Sequence, residues 1–232
     1  MTRAPRDSLS RVAADVVACQ RCPRLRSWCR LVAEVKVKRF RDESYWGRPV
    51  PGFGDPRARL LVVGLAPAAH GANRTGRVFT GDRSGDFLFA GLHRAGFASQ
   101  PTSVSRGDGL RLRDCYIAPL ARCAPPANKP TPEEIRNCRE YLLREWALLT
   151  RVRAVLVLGK LAMDGFVALL REAGRVPRRA YAFGHGVSHD LGGGLRLFAS
   201  FHPSQQNTFT GKLTAAGFDR VLDQVRRHLG GE

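Results

Sequence analysis

A glycine-rich loop between Gly64 and Asp82 has the composition of a ligand-binding segment. It follows the apolar run 60–63 and precedes a helical pattern, so we expect it at the end of a strand. Its glycines allow tight turns and close approach of the backbone to a ligand. Two arginines and the single carboxylate of Asp82 suit an anionic or base-like ligand. The loop matches neither GxGxxG nor GxxxxGK(S/T), so the dinucleotide-binding and P-loop motifs are both absent.

A second polar segment, 202–214, follows the apolar run 197–201 and begins with His202-Pro203-Ser204. A histidine at a strand end can donate a hydrogen bond to a developing anion, and hydroxyl, amide and ammonium groups can hold phosphates. Taken alone, His-Pro-Ser is more simply a turn with a capping histidine. A second polar loop at a neighbouring strand end favours a shared ligand site instead.

Four of the six cysteines could ligate a metal centre. Cys19 and Cys22 have the CxxC spacing of a metal-binding pair, while Cys123 and Cys138 are separated by fourteen residues. A zinc ribbon would close with a second short pair, whereas a cubane iron-sulfur cluster accepts dispersed thiolates. The spacing alone leaves zinc, a cluster or no metal open, and Cys138 also suits a small core position on a helix.

The other two cysteines, Cys29 and Cys115, have no cysteine partner at ligand spacing. Both have apolar or aromatic neighbours in the sequence. We predict that they are core residues.

The charge balance of the chain favours a polyanionic partner. It contains 38 Lys and Arg against 20 Asp and Glu, with a formal net charge of +18. Nucleic acid is the first candidate, and a solvated arginine-rich surface is the alternative. Neither a signal peptide nor the roughly 20 apolar residues of a membrane span is found. We therefore expect a soluble protein of a bacterial or archaeal cytoplasm.

The apolar runs predict a three-layer α/β/α domain that includes the whole chain, residues 1–232. Runs at 60–63, 116–120, 154–158 and 195–201 indicate four buried strands, and helical patterns between them are long enough to cross over. The central twisted sheet should therefore be mostly parallel and four-stranded. Thr131, Pro132 and Glu134 predict a helix start with a capping box. Ligands bind beyond the carboxyl ends of such strands, where both polar loops emerge.

Three segments occur in a specific order: GLAPAAHGANRTGRVFTGD, CAPPANKPTPEE and HPSQQNTFTGKLT. Together with the segment YWGRPVPGFGD and the cysteines, they closely resemble the uracil-DNA glycosylase superfamily, specifically family 5, the iron-sulfur B-type enzymes. The resemblance covers nearly the whole chain. It implies a structural 4Fe-4S cluster on Cys19, Cys22, Cys123 and Cys138, which would tie the N-terminal segment to residues 123–138.

The resemblance also implies hydrolysis of the N-glycosidic bond of a deaminated base that is flipped out of double-stranded DNA. Asp82, His202 and Asn128 would then be catalytic: Asp82 would position water or stabilise the sugar cation, His202 would donate to the base oxygen, and Asn128 would bind the base edge. The remaining implied site residues contact the base, the phosphates or the gap left by the base: Gly64, Ala66, Ala68, His70, Phe79, Ser204, Gln205, Asn207 and Lys212. Asp82 could instead cap a helix, Phe79 could be core, and Asn128 could order its turn.

One departure from the wider superfamily affects specificity. Other members carry an Asp in the first motif and an Asn in the middle strand, where this chain has Ala66 and the apolar run 116–120. The resemblance therefore implies a tolerant pocket for uracil, hypoxanthine and xanthine. No lysine occupies the matched catalytic positions, so we expect a monofunctional enzyme that leaves an abasic site. We also expect the protein to be a monomer. The alternatives are a non-catalytic, metal-stabilised nucleic-acid-binding domain and an enzyme acting on free nucleotides.

Overall fold

A six-stranded sheet forms the centre of the computed structural model, which describes residues 7–230. The strands are β1 (Phe53–Gly54), β2 (Leu60–Gly64), β3 (Cys115–Pro119), β4 (Ala154–Leu158), β5 (Ser188–Gly192) and β6 (Leu195–Ser200). Their order across the sheet is β1-β3-β2-β4-β6-β5. The inner four are parallel, and the two edge strands are antiparallel to their neighbours.

The predicted mostly parallel sheet is confirmed, but the predicted number of four strands was too low. The four apolar runs form the inner strands β3, β2, β4 and β6. The edge strands escaped prediction because β1 has two residues and β5, with sequence SHDLG, buries only Leu191. An edge strand lies at the margin of the core, so it carries no continuous apolar run.

Helices cover both faces of the sheet, as the three-layer prediction requires. Their bounds are α1 (Leu9–Ala18), α2 (Pro23–Val35), α3 (Ala72–Thr75), α4 (Arg83–Arg94), α5 (Pro132–Leu148), α6 (Lys160–Glu172), α7 (Gln205–Phe209) and α8 (Ala215–Gly230). Alternate residues of β2 face opposite layers: Leu60 and Val62 pack with α4 and α8, whereas Leu61 and Val63 pack with α5 and α6. No helix of residues 7–230 combines the length and apolar character needed to cross a membrane.

The start of α5 confirms the predicted capping box. Thr131 Oγ1 accepts from Glu134 N–H, and the Glu134 carboxylate accepts from Thr131 N–H at 2.8 Å. Arg24 also donates to the Glu134 carboxylate at 2.8 Å, which ties the N-terminal helices to the loop before α5. Interactions between residues three apart are local, so the sequence predicts them well.

The basic segment that begins at Arg24 forms a helix that charge alone did not reveal. In α2 the residues Leu25, Cys29 and Val32 are buried at helical spacing, while its arginines include the buried Arg26. The preceding α1 packs Val12 and Val16 against α5. The N-terminal helices therefore bring the CxxC pair to the side of α5 that carries Cys138.

Candidate active site

Three loops meet at one edge of the sheet because β2, β3 and β6 run parallel and end together. Leu120 N–H donates to the Gly64 carbonyl at 2.9 Å, which joins the loops after β3 and β2. The Phe79 ring lies 6.1 Å from the His202 ring, centroid to centroid, at an interplanar angle of 36°. The two polar segments identified in the sequence therefore form one site.

Phe79 projects from a strained point of the first loop. Its φ is +50°, in the left-handed region that residues other than glycine rarely occupy. A Cβ on Gly64 would lie 2.9 Å from Cζ of Phe79, so the ring rests directly on the end of β2. This close approach explains why residue 64 is a glycine, and it leaves the partly exposed ring facing His202.

Asp82 is both a helix cap and a buried acid. Its Oδ1 accepts from the Gly85 N–H at 2.9 Å at the start of α4, so the predicted capping alternative is correct as geometry. The second oxygen, Oδ2, lies 1.8 Å from where a Gly71 Cβ would stand. Burial raises the pKa of Asp82. The capping hydrogen bond from Gly85 uses Oδ1, whereas Oδ2 points towards Gly71 in the first loop.

The close approach of Gly71 to Asp82 predicts the effect of a single methyl group. If Asp82 is the catalytic group that the resemblance implies, Gly71→Ala should displace its carboxyl and lower single-turnover base release by about 10- to 100-fold, because misplacing a catalytic group by ~1 Å has effects of that size. Binding to undamaged duplex DNA should stay unchanged. Gly107→Ala is the matched control, since a Cβ there meets nothing within 4 Å. Equal rates for both variants would contradict the prediction.

His202 has a neutral imidazole, and a hydrogen bond to its backbone carbonyl helps to fix its position. Burial lowers its pKa to about 4, so the ring carries no charge at neutral pH. Asn207 Nδ2 donates to the His202 carbonyl at 2.8 Å, and a Cβ on Gly159 would lie 3.3 Å from the His202 Cβ. A neutral ring N–H in this position can donate to a base oxygen that becomes negative.

Of the other polar residues of 202–214, some stabilise the loop by hydrogen bonds and others are exposed to solvent. Ser204 Oγ caps α7 by accepting from Asn207 N–H at 3.4 Å, so both side chains order this loop. Gln205 is exposed, and the exposed Lys212 places Nζ 4.7 Å from the Phe201 ring centroid. Both of these side chains lie at the solvent-exposed surface of the site.

Asn128 lies in an exposed turn after β3, within the short 3₁₀ turn Pro126–Asn128. Its backbone has φ +57°, and its N–H donates to the Pro125 carbonyl at 3.1 Å. The side-chain amide has no hydrogen-bond partner among the described residues. Asn128 thus combines an ordered backbone with an amide that remains available to a ligand.

His70 has a partner that the sequence did not indicate. The Tyr45 hydroxyl lies 3.1 Å from Nδ1 of His70, and burial lowers the pKa of this histidine. Next to it, Trp46 N–H donates to the Arg74 carbonyl at 2.8 Å. The segment that contains Tyr45 therefore packs against the first loop and stabilises it. Ala66 and Ala68 are partly exposed in that same loop.

An ion pair between Arg77 and Asp108 stabilises the first loop. Arg77 Nη2 donates to Asp108 Oδ2 at 2.7 Å and to Ser103 Oγ at 3.0 Å, and its Nε donates to Thr80 Oγ1 at 2.9 Å. Although burial opposes the charge, the Arg77 guanidinium lowers the pKa of Asp108 to about 2. The loop is therefore held by charge-assisted hydrogen bonds.

Removal of this carboxylate should destabilise the protein strongly. We expect Asp108→Asn to lower the free energy of unfolding by about 3–5 kcal/mol at pH 7, because Arg77 would remain buried without its counterion. Since the folded pKa lies below the unfolded one, the deficit should shrink as the pH falls from about 4 towards 2. Urea denaturation of wild type and Asp108→Asn at each pH measures this difference in the free energy of unfolding. The exposed Asp164→Asn should change stability by less than about 0.5 kcal/mol.

The predicted cysteine ligands lie in one region. Cys22 and Cys123 belong to the same buried cluster, and Asn137 Nδ2 donates to the Cys22 sulfur at 3.5 Å. Burial, with Cys22 and Cys19 as charged neighbours, raises the pKa of Cys138 to about 11. Within residues 7–230 no three potential ligand side chains lie close enough to hold a single metal ion.

Cys29 also belongs to this region, although the sequence indicated only a core residue. It is fully buried and packs in the same cluster as Cys123. A hydrogen bond from the Cys123 thiol lowers the pKa of Cys29. The sequence signal for this position was the spacing: Cys29 lies in α2, seven residues or two helical turns after the N-cap residue Cys22. Cys115 is fully buried in β3, as predicted.

Comparisons with known proteins agree with this geometry. The model of the uracil DNA glycosylase superfamily matches residues 51–226. The chain is 50% identical to a type-5 uracil-DNA glycosylase of Mycobacterium tuberculosis, over 96% of this chain and 82% of the relative. It is 51% identical to a type-5 uracil-DNA glycosylase of Thermus thermophilus, over 93% of this chain and 95% of the relative. The chain therefore belongs to the uracil DNA glycosylase superfamily, in its type-5 branch.

Proposed function

We propose that this protein is a DNA glycosylase that hydrolyses the N-glycosidic bond of uracil in DNA. The single observation that supports this most is the assembly of Phe79, Asp82 and His202 at one sheet edge: an aromatic face, a partly buried carboxyl whose Oδ2 lies against Gly71, and a neutral imidazole. Gly85 links the first two, since its N–H binds Asp82 and its Cβ position would lie 1.9 Å from the Phe79 carbonyl. Family membership supports the same reaction.

The residues divide the reaction between the base and the sugar. Phe79 stacks on the flipped base, and Asn128 binds its edge. As the bond between the base nitrogen and C1′ breaks, its electrons move onto the base, where the His202 N–H stabilises the growing charge on the carbonyl oxygen. Asp82 stabilises the positive sugar and orients the water that adds to C1′. The water loses a proton as it adds to C1′ and the base anion gains one from solvent, so the products are an abasic site and the neutral free base.

The pocket should accept more than uracil. Ala66 removes a polar group that would discriminate between bases, so we propose that hypoxanthine and xanthine are released too. The matched catalytic positions hold no lysine, which leaves no amine for Schiff-base strand cleavage. The enzyme is therefore proposed to be monofunctional. Gly64, Ala68 and His70 complete the base pocket in this proposal.

Double-stranded DNA is the proposed partner, bound by a monomer. The net charge of +18 attracts the phosphate backbone. We propose that the exposed Gln205 and Lys212 contact phosphates, while Ser204 and Asn207 hold the loop that carries them. Binding should weaken as salt increases, in proportion to the number of phosphates contacted.

We propose that Cys19, Cys22, Cys123 and Cys138 hold a 4Fe-4S cluster with a structural role. The chemistry of the donor set supports the fit: four thiols, none in a disulfide, gather between α1, α2, α5 and the loop after β3. A cluster takes one thiolate on each iron, so its ligands need not meet at one ion. When bound, the cluster would join the N-terminal segment to residues 123–138 within a single domain over 1–232.

A base-release assay tests the function. Duplexes with one uracil, hypoxanthine or xanthine are incubated with anaerobically purified protein, and strands are analysed with and without alkali. Breaks that need alkali support a monofunctional glycosylase, and breaks without it contradict that detail. Salt-sensitive DNA binding without base release would instead support a non-catalytic nucleic-acid-binding domain. A preference for mononucleotides over duplex DNA would support an enzyme that acts on free nucleotides.

Iron and sulfide analysis of the same preparations tests the cofactor. Cys123→Ser should lose iron, whereas Cys29→Ser should retain it. An active, colourless protein loaded with zinc would contradict the proposed cluster.

A further inference from the structure

One buried arginine beside the cysteines has no carboxylate partner among residues 7–230. Arg26, in α2, is 5% exposed. Its Nη2 donates to the Gly47 carbonyl at 3.1 Å, but its Nε and Nη1 are buried and have no hydrogen-bond partner within residues 7–230. An ionised guanidinium left without a partner in such a place is strongly unfavourable.

The other buried arginines of the described chain follow the opposite rule. Arg74 pairs with Glu43, Arg77 with Asp108, and Arg122 with Glu145. The fold thus supplies a carboxylate wherever else it buries a guanidinium. Within the described chain Arg26 lacks a carboxylate, so its countercharge should be another kind of anion.

Helix geometry places Arg26 against the thiols. Its N–H donates to the Cys22 carbonyl at 2.9 Å, one turn earlier in α2, and Cys29 follows three residues later on the same face. Cys29 packs with Cys123, and the positive charge of Arg26 acts on both of these thiols. The anion nearest to Arg26 would therefore be thiolate sulfur.

We propose that Arg26 is the countercharge of the iron-sulfur cluster, a positioning residue that stabilises the thiolate-bound centre and sets its reduction potential. This inference depends on the proposed cluster. Four thiolates give a 4Fe-4S centre a net negative charge, which a buried guanidinium nearby can balance. Because a positive charge favours the state that has gained an electron, its removal lowers the reduction potential.

The test compares variants of Arg26 in anaerobically purified protein. Arg26→Gln removes the charge at similar length, Arg26→Lys keeps the charge, and Arg30→Gln changes an exposed arginine of the same helix. We expect Arg26→Gln to shift the cluster potential negatively and to release iron to a chelator in air faster than wild type. Arg26→Lys should restore most of both properties, and Arg30→Gln should resemble wild type.

Three results would overturn the proposal. Equal potentials and iron-release rates in wild type and Arg26→Gln would show that the charge does not act on the cluster. Weaker DNA binding with an unchanged cluster would assign Arg26 to a phosphate, since it also borders a groove lined by Trp46 and Arg48. A wild-type protein without iron and sulfide would overturn the proposed cofactor together with this inference. If Arg26→Gln fails to fold, Arg26→Met replaces it as the variant without the charge, and its potential and iron release are compared with those of Arg26→Lys, Arg30→Gln and wild type.

Discussion

Asp82→Asn should lower the single-turnover rate of uracil release by about 10²- to 10⁴-fold, the range that a positioned acid–base group contributes. Asparagine keeps an oxygen for the Gly85 N–H at the start of α4. It loses the negative charge that would stabilise the sugar cation and orient water through Oδ2. The expected loss is therefore chemical, and duplex binding, measured with undamaged DNA, should stay within about twofold of wild type.

The same substitution should leave the protein at least as stable at neutral pH. Burial raises the folded pKa of Asp82 above its unfolded value, so the folded state binds protons more tightly. Stability contributed by this group is thus lost as the pH rises through the folded pKa, and at pH 7 the buried charge is unfavourable. Asparagine removes that charge, so the melting temperature should stay unchanged or rise.

Asp164→Asn, an exposed substitution in α6, is the control for the loss of one carboxylate. A rate for Asp82→Asn within twofold of wild type would limit Asp82 to capping α4. A rate that falls together with the melting temperature would assign it a structural role. A slow, stable variant is the only result that supports the proposed chemistry.

The inner sheet and the start of α5 could be predicted from the sequence because their signals are local. A run such as Ala154–Leu158 is apolar throughout since both of its faces are covered, and the capping box of Thr131 and Glu134 lies within one turn. The edge strand Ser188–Gly192 and the helix Pro23–Val35 were not predicted. The strand is mostly polar, and three arginines interrupt the apolar residues of the helix, so packing against the rest of the fold determines the structure of both segments.

The site could be predicted as segments but not as contacts. Each polar loop had a composition that favoured ligand binding, yet the approach of Phe79 to His202 joins residues more than a hundred positions apart. The missing counterion of Arg26 is likewise visible only once the surroundings of the side chain are known. Gly71 illustrates the same limit. Only glycine fits at this position because the Asp82 carboxyl occupies the space that a Cβ would need.

His202→Ala should lower the rate of uracil release by about 10²- to 10³-fold, the loss measured when one preorganised donor to a developing anion is removed. A donor of this kind must keep its N–H, and the depressed pKa, about 4, means that the neutral ring supplies it near pH 7. Protonation of His202 therefore cannot limit the rate between about pH 6 and 8, where an unperturbed histidine would titrate. The acid limb should instead come from Asp82, whose raised pKa places its protonation above the pH of an ordinary aspartate.

Single-turnover rates from about pH 4 to 9 separate these groups, because each variant should change a different part of the profile. His202→Ala should lower the whole profile and keep the acid limb, whereas Asp82→Asn should lose that limb. His202→Gln should recover part of the rate, since an amide can still donate. A wild-type rate that falls as the pH rises from about 6 to 8 would instead show that a protonated histidine acts, and would contradict the neutral imidazole. Because base release with a neutral donor leaves a negative charge on the base, the rate should also depend on how acidic the released base is.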